Sequence, residues 1–187
     1  MFLVRHGEKV YGNRDPMPKV DCNPDANTPI LKLYQHDSPL TSGAVEDILE
    51  VREECLEQFA PEYIVCSPFL RCRQTAQILS GGQIPIYIDA SLREFLGNAD
   101  EHSIEIDPIT SQHTSSLKLK ETEDEFISRC KQIPKLDFWK PGVWIVTHGF
   151  VIKTLLDLTN KKRNKSPEMG DATYLNKEKI ALARNHK

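Results

Sequence analysis

Val143-Trp144-Ile145-Val146-Thr147-His148-Gly149 is a strongly apolar run that stops at a histidine and a glycine. Just beyond it, Val151, Ile152, Leu155 and Leu156 recur at helical spacing, so the stretch reads as strand, histidine, helix. An open α/β sheet binds its ligands at the carboxyl ends of its strands. A strand ending in a histidine therefore delivers an imidazole to such a crevice.

Two other segments have the same form. Phe2-Leu3-Val4 runs into Arg5-His6-Gly7-Glu8, placing a guanidinium and a second imidazole at a strand end. Arginine meets phosphate oxygens with a planar fork, and histidine can serve as nucleophile, base or metal ligand. Tyr63-Ile64-Val65-Cys66 meets Ser67-Pro68, which reads as a helix N-cap followed by proline at the first helical position. The helix is predicted to continue through Leu79 and to stop before Gly81-Gly82. Arg71 then falls near its positive end, on about the same face as Ser67, where an anion is favoured. Arg73, two residues on, is expected to face elsewhere.

The order and spacing of Arg5-His6-Gly7-Glu8, Asp37-Ser38-Pro39-Leu40-Thr41-Ser42-Gly43, Cys66 to Ala76 and Thr147-His148-Gly149 resemble the histidine phosphatase superfamily, whose best-known branch is the phosphoglycerate mutases. Within it, Cys66-Ser67-Pro68, Leu70-Arg71-Cys72 and Gln74-Thr75-Ala76 are most similar to the Sts/TULA phosphatase domains, which are protein tyrosine phosphatases. The resemblance implies a three-layer α/β/α sandwich with a mostly parallel central sheet, phosphoglycerate mutase-like. It implies a phosphomonoesterase in which His6 attacks phosphorus and water then hydrolyses the phosphohistidine. Arg5, Arg71 and His148 would surround the phosphoryl oxygens, matching charge spread over them in the transition state. No cofactor and no metal is implied, the partner is a phosphorylated protein or small phosphate ester, and a homodimer would suit the nearest relatives.

The leaving oxygen also needs a proton, which the family supplies from a carboxylic acid after the second or third strand. Ile84-Pro85-Ile86-Tyr87-Ile88 reads as that strand, and Glu94 in Leu92-Arg93-Glu94-Phe95 is the candidate general acid. Its pKa would have to be raised by burial or by the bound phosphate. The other reading is an exposed glutamate balanced by Arg93, and Leu96-Gly97-Asn98 carries the family's following Gly and Trp only in part. Glu8 and Lys9 are auxiliary candidates, to orient the arginines and to add positive charge. Both are equally readable as solvated loop residues. Ser67 is a third auxiliary candidate.

Composition suits one soluble domain. The chain has 187 residues, 39% of them hydrophobic, and a net charge of −3, enough for one core without a second domain. The domain expected is therefore 1–187, with a lid or helical insertion at about 95–135. Lys161-Lys162-Arg163-Asn164-Lys165 is too short and isolated to mark a nucleic-acid surface. No apolar stretch approaches the roughly 18 residues of a membrane span, and no signal peptide is evident, so a cytoplasmic protein is expected. Five cysteines without a Cys-x-x-Cys pair suit reduced thiols.

The same residues admit rival readings. Cys66 and Arg71 suggest a cysteine phosphatase loop, but four residues separate them where that loop needs five and glycine. Cys66 then reads as a buried small hydrophobe. Two strand-end histidines suggest a metal, but no carboxylate or cysteine cluster stands beside them in the sequence. A non-catalytic phosphate-binding module, or a phosphoglycerate mutase-type phosphotransferase, remains the alternative function.

Elsewhere, Tyr11 to Ser38 reads as a long loop bordering the site. Thr41 or Ser42 is expected to cap a helix whose face Val45, Ile48, Leu49, Leu56 and Phe59 packs on the sheet. Asn98 to Lys120 is irregular, and Thr122-x-x-Glu125 reads as a capping box. Thr173-Tyr174-Leu175 and Ile180-Ala181-Leu182-Ala183 are expected as edge strands.

Overall fold

A computed structural model of the chain describes residues 1–10, 35–97, 106–159 and 167–185. The sequence expectations for Tyr11 to Tyr34, for Asn98 to Glu105 and for the basic run Lys161–Lys165 lie outside the described residues.

The apolar runs become the middle of a five-stranded sheet. Strands β1 (Phe2–Arg5), β2 (Tyr63–Cys66), β3 (Ile86–Ile88), β4 (Val143–Thr147) and β5 (Ala172–Tyr174) lie in the order β3-β2-β4-β1-β5. β1 to β4 are mutually parallel and only β5 runs the other way. Register sets Leu3 beside Ile145 and Ile145 beside Val65, while Val4 and Cys66 flank Val146. All five residues of β4 are buried, as a strand covered on both faces must be.

Two apolar layers follow from the period of two along the strands. On one face Phe2, Val4, Ile64, Cys66, Trp144 and Val146 meet helices α1 (Ala44–Gln58) and α2 (Leu70–Ser80). On the other, Leu3, Val65, Val143 and Ile145 meet helices α4 (Glu123–Gln132), α5 (Gly149–Leu158) and α6 (Lys177–Asn185). Helix α3 (Pro108–Thr114) lies between α2 and α4 in the chain. The result is the expected three-layer α/β/α arrangement. Among the described residues, no helix is long and apolar enough to cross a membrane.

Local rules account for most boundaries. Thr41 Oγ1 accepts from Ala44 N at 3.2 Å, so a threonine does cap α1. The capping box of α4 is present, with Thr122 N donating to Glu125 Oε2 (2.7 Å) and Glu125 N to Thr122 Oγ1 (3.2 Å). Helix α2 ends where Gly81 turns left-handed at φ 55°, which a side chain would resist.

Four local expectations are corrected. Of the expected face, Ile48, Leu56 and Phe59 do pack on this layer, joined by Ala44, Val51 and Cys55, whereas Val45 and Leu49 are 39% and 45% exposed, to one side of it. Helix α2 starts at Leu70, not Pro68, and its N-cap Phe69 makes no side-chain cap. The Ser67 hydroxyl is engaged elsewhere, and Asp37 Oδ1 accepts from Leu70 N at 2.6 Å instead, a cap supplied from across the fold. Within the stretch read as irregular, Asp107 caps α3 by accepting from Ile109 N at 2.9 Å and Pro108 takes its first position. Finally, Ile180 to Ala183 is helical: Asn176 Oδ1 accepts from Lys179 N (3.1 Å), and Ile180 and Ala183, one helical turn apart, are both buried.

Ile145 sits at the centre of the sheet with no exposure. Ile145→Ala is expected to lower unfolding free energy by about 2–5 kcal/mol in urea denaturation, because the neighbouring strands hold the cavity open. A loss below about 1 kcal/mol would show that the layers close over it.

Candidate active site

Because β1, β2, β3 and β4 are parallel, their carboxyl ends open onto one edge of the sheet, and ladder bonds continue past them. His6 N donates to Thr147 O (3.1 Å), Ser67 N to Val146 O (3.0 Å) and Asp89 N to Cys66 O (2.9 Å). The segments carrying His6, Ser67 and His148, and the turn leading to Glu94, are thus joined by backbone bonds at one place. Gly7 lets α1 come close where His6 leaves the strand: a Cβ there would lie 2.7 Å from Ile48 Cδ1 and 3.1 Å from Ala44 Cβ. Gly7 N also donates to Thr75 Oγ1 (3.1 Å), which fastens the strand end to α2.

The site is organised around Arg71, a wholly buried guanidinium. Its Nε donates to His6 Nε2 at 3.3 Å and its Nη1 to the His36 carbonyl at 3.3 Å, with Asp37 Oδ1 at 3.5 Å. Its Nη2 contacts Glu94 Oε2 and stands 3.4 Å from His148 Nδ1. His6 Nδ1 lies 2.8 Å from the Gly7 carbonyl, which assigns the ring proton to Nδ1 and leaves the lone pair on Nε2, facing Arg71. Ser67 Oγ receives the Phe69 amide (3.4 Å) and lies 2.8 Å from His148 Nε2. Its hydroxyl therefore donates to Nε2, and His148 Nδ1, 3.3 Å from Glu94 Oε2, carries the proton.

Electrostatics follow from burial. Desolvation, reinforced by Arg71 and His148, pushes His6 well below the ordinary histidine value, so it is a neutral base. Burial brings His148 down to about 4, with Glu94 opposing. Burial would raise Glu94, but Arg71 and then His148 outweigh it and hold the carboxyl well below its usual range. Lys9 is brought to about 8 by burial and the field of Arg71, with Glu94, Arg5 and Asp37 also near enough to act on it.

Of the residues singled out in the sequence, His6, Arg71, Glu94, His148 and Ser67 converge through these contacts. Arg5 lies in the same field, since Glu94 and Arg71 both act on its charge. Its Nη1 donates to the Pro167 carbonyl, and its buried Nε has no partner among the described residues. Among the described residues no ion pair joins Glu8 to either arginine; its carboxylate accepts from Thr41 Oγ1 at 3.4 Å. Arg73 turns away to Asp107 and the Pro68 carbonyl. Glu94 is no surface residue balanced by Arg93, which pairs with Glu121 instead. In this state it is an ionised carboxylate, not the raised acid expected, because Arg71 lies against it.

The expectation that no carboxylate accompanies the two histidines is also corrected. One donor atom from each of His6, Glu94 and His148 lies within 4.8 Å of the others. That is a two-histidine, one-carboxylate set. Here it is bridged by a cation already, since Arg71 reaches all three. Cys66 is buried at its strand end with its thiol pushed up to about 12, which removes the thiolate a cysteine mechanism needs. Cys72, with Sγ 3.6 Å from His148 Nε2, is pushed up by burial too. The four described cysteines are free.

Asp37 was missed as a site residue. It is fully buried and accepts from Leu70 N (2.6 Å), Thr110 Oγ1 (2.6 Å) and Asp107 N (3.2 Å) while facing Arg71. Burial raises its pKa against these donors. Its place in Asp37-Ser38-Pro39-Leu40 was visible in the sequence, but its partners are distant along the chain.

The sequence profile of the histidine phosphatase superfamily (branch 1) matches residues 1–173, and the chain belongs to that superfamily. Among solved structures, Bacillus stearothermophilus YhfR is similar at 25% identity, covering 90% of this chain and 84% of that one with a TM-score of 0.55. The alpha-ribazole phosphatase from Shigella flexneri matches at 18% identity, covering 95% and 91% with a TM-score of 0.60. A mycobacterial glucosyl-3-phosphoglycerate phosphatase matches at 15% identity, covering 92% and 87% with a TM-score of 0.58. No curated protein sequence matches significantly.

The neutral histidines carry a prediction about stability. His148 has a folded pKa of about 4, below its ordinary 6.5, so the unfolded chain binds the proton first as pH falls. The stability this confers is complete above about 6.5 and is lost as pH falls toward 4, with His6 acting in the same sense. Thermal melts from pH 7 to 4 should show Tm falling, and His148→Gln should flatten the profile between 6.5 and 4. An unchanged slope in that variant would assign the acid sensitivity to other groups.

Proposed function

We propose that the protein is a phosphomonoesterase that works through a phosphohistidine on His6. The observation that carries this reading is the lone pair of His6 Nε2 aimed at a buried guanidinium, with a second histidine and a carboxylate around the same point. A phosphoryl dianion entering there would take its oxygens to Arg71 and Arg5 and to the Nδ1 proton of His148. Nε2 would form the bond to phosphorus as the ester bond breaks in line. The positive groups match charge spread over the equatorial oxygens, and removal of one such donor costs on the order of 100-fold or more in rate.

Glu94 is the general acid in this reading. The incoming dianion competes for Arg71, so the carboxylate loses its counter-charge and gains an anionic neighbour, both of which favour its protonation. It then delivers its proton to the leaving oxygen. Water attacks the phosphohistidine, returns a proton to Glu94 and restores neutral His6. Lys9 adds positive charge at the rim. No step requires a metal or organic cofactor.

The substrate class we assign first is an aryl phosphate of the phosphotyrosine kind, on the likeness of Cys66 to Ala76 to the Sts/TULA domains. The named activities of the structural relatives, on alpha-ribazole phosphate and glucosyl-3-phosphoglycerate, supply the small-ester comparison panel.

Hydrolysis of p-nitrophenyl phosphate from about pH 5 to 8 with EDTA present should be robust for the wild type and for Cys66→Ser, and should fall by at least about 1,000-fold in His6→Ala. Because burial and the field of Arg71 hold His6 well below the ordinary histidine value of 6.5, any acid limb of kcat/KM that its protonation causes should lie well below pH 6.5. Loss in Cys66→Ser alone would hand the reaction to the thiol. A wild type inactive on the whole panel would leave a phosphate-binding module as the reading.

A further inference from the structure

Glu94 is introduced to the site by the 3-10 turn Ala90–Leu92 and by Arg93. Arg71 and His148 contact the Glu94 side chain, and Lys9 acts on its charge. In the proposed reaction Arg71 and His148 turn to the phosphoryl group, so the acid depends more on its backbone for its place at the moment it acts.

That backbone is fixed from outside the site. Glu121, only 5% exposed, gathers two guanidiniums: its Oε2 accepts from Arg93 Nη2 (3.1 Å) and Arg129 Nε (3.0 Å), and its Oε1 contacts Arg129 Nη2. Both arginines also hold carbonyls of the turn, Arg129 Nη1 on Ser91 O (2.7 Å) and Arg93 Nη1 on Ala90 O (3.4 Å). From the opposite side Thr147 Oγ1 donates to Leu92 O at 2.7 Å, next to His148. Burying three charges is a poor device for stability alone, since desolvation offsets most of the attraction. Planar, two-point arginine contacts are, however, a good device for geometry.

We propose that Glu121 is a positioning residue for the general acid: through Arg93 and Arg129 it holds the Ala90–Arg93 segment so that Glu94 stays on the leaving oxygen after Arg71 is taken by phosphate. Glu121 touches neither substrate nor reacting atoms. The proposal rests on the reading of Glu94 as the acid.

The test is leaving-group dependence. Proton donation matters little for p-nitrophenolate, which departs readily as an anion, and much for phenolate. In Glu121→Gln, kcat/KM on phenyl phosphate, which reports only the steps through departure of the leaving group, should fall by about 10- to 100-fold, while kcat/KM on p-nitrophenyl phosphate stays within about 2-fold of wild type. Glu94→Gln should show the same selectivity, larger. Arg93→Lys, which keeps the charge but not the fork, should show it in weaker form, and it serves if Glu121→Gln does not fold. Equal losses on both substrates with a lowered Tm would make the cluster merely structural and overturn the proposal, as would an unchanged phenyl phosphate rate or a failure of both variants to fold. If Glu94→Gln itself lacks selectivity, the assignment of the acid falls and this proposal with it. If His6→Ala retains full turnover, the phosphohistidine reading fails separately.

Discussion

A guanidinium with no exposure at the open edge of a sheet is the constraint on which the rest of the site depends. Arg71 cannot lose its proton, and burying its charge is tolerable only if its N–H groups are matched and an opposite charge stands close by. Its neighbours come from four places along the chain: His6 after β1, the His36 carbonyl and Asp37 before α1, and Glu94 after β3 meet its N–H groups or its charge, and His148 after β4 lies beside them. Each is set by an element whose own stability is unrelated to catalysis. The parallel sheet aligns the strand ends, Gly7 lets α1 approach them, and Asp37 binds the start of α2 to Arg71. The binding group therefore also serves as a structural junction.

The same arrangement explains why Glu94 is ionised in this state. A buried cation facing neutral imidazoles would be poorly compensated, and Glu94 supplies the missing negative charge. In the proposed reaction its carboxylate stands where a phosphoryl oxygen would, and substrate binding would be an exchange of one anion for another. Such an exchange avoids exposing Arg71 uncompensated. It also ties the protonation of Glu94 to occupancy, so that an acid useful near neutral pH need not carry a raised pKa in the resting site.

What could be read from the sequence was what is local. Apolar runs ending in His6, Ser67 and His148 have one simple folded form, a covered parallel strand, so the sheet and the convergence of these side chains were legible. Thr41 and the Thr122–Glu125 box were legible because caps act within four residues. Helical spacing alone could not orient α1, because Val45 and Leu49 lie beside Ile48 on the helix and only the tilt of the helix on the sheet decides which are covered. Asp107-Pro108 was a readable helix start within a stretch judged by its polarity. The charge of Glu94 and the roles of Asp37 and Glu121 were not legible, since each is defined by groups brought close only by the fold.

A nucleophile set in a cationic pocket faces opposing demands. Burial, and after it the field of Arg71, lower the proton affinity of His6, which leaves its lone pair available but also draws down its basicity and with it its attacking power. In the proposed reaction the phosphoryl dianion would reverse the second effect without undoing the first: it would neutralise the field of Arg71 while occupying the space from which a proton would arrive. Basicity at Nε2 and proton affinity at Glu94 would then rise together, driven by one binding event. On that reading nucleophile and acid need not be poised independently in the empty site, because the substrate's own charge would bring both into their working states.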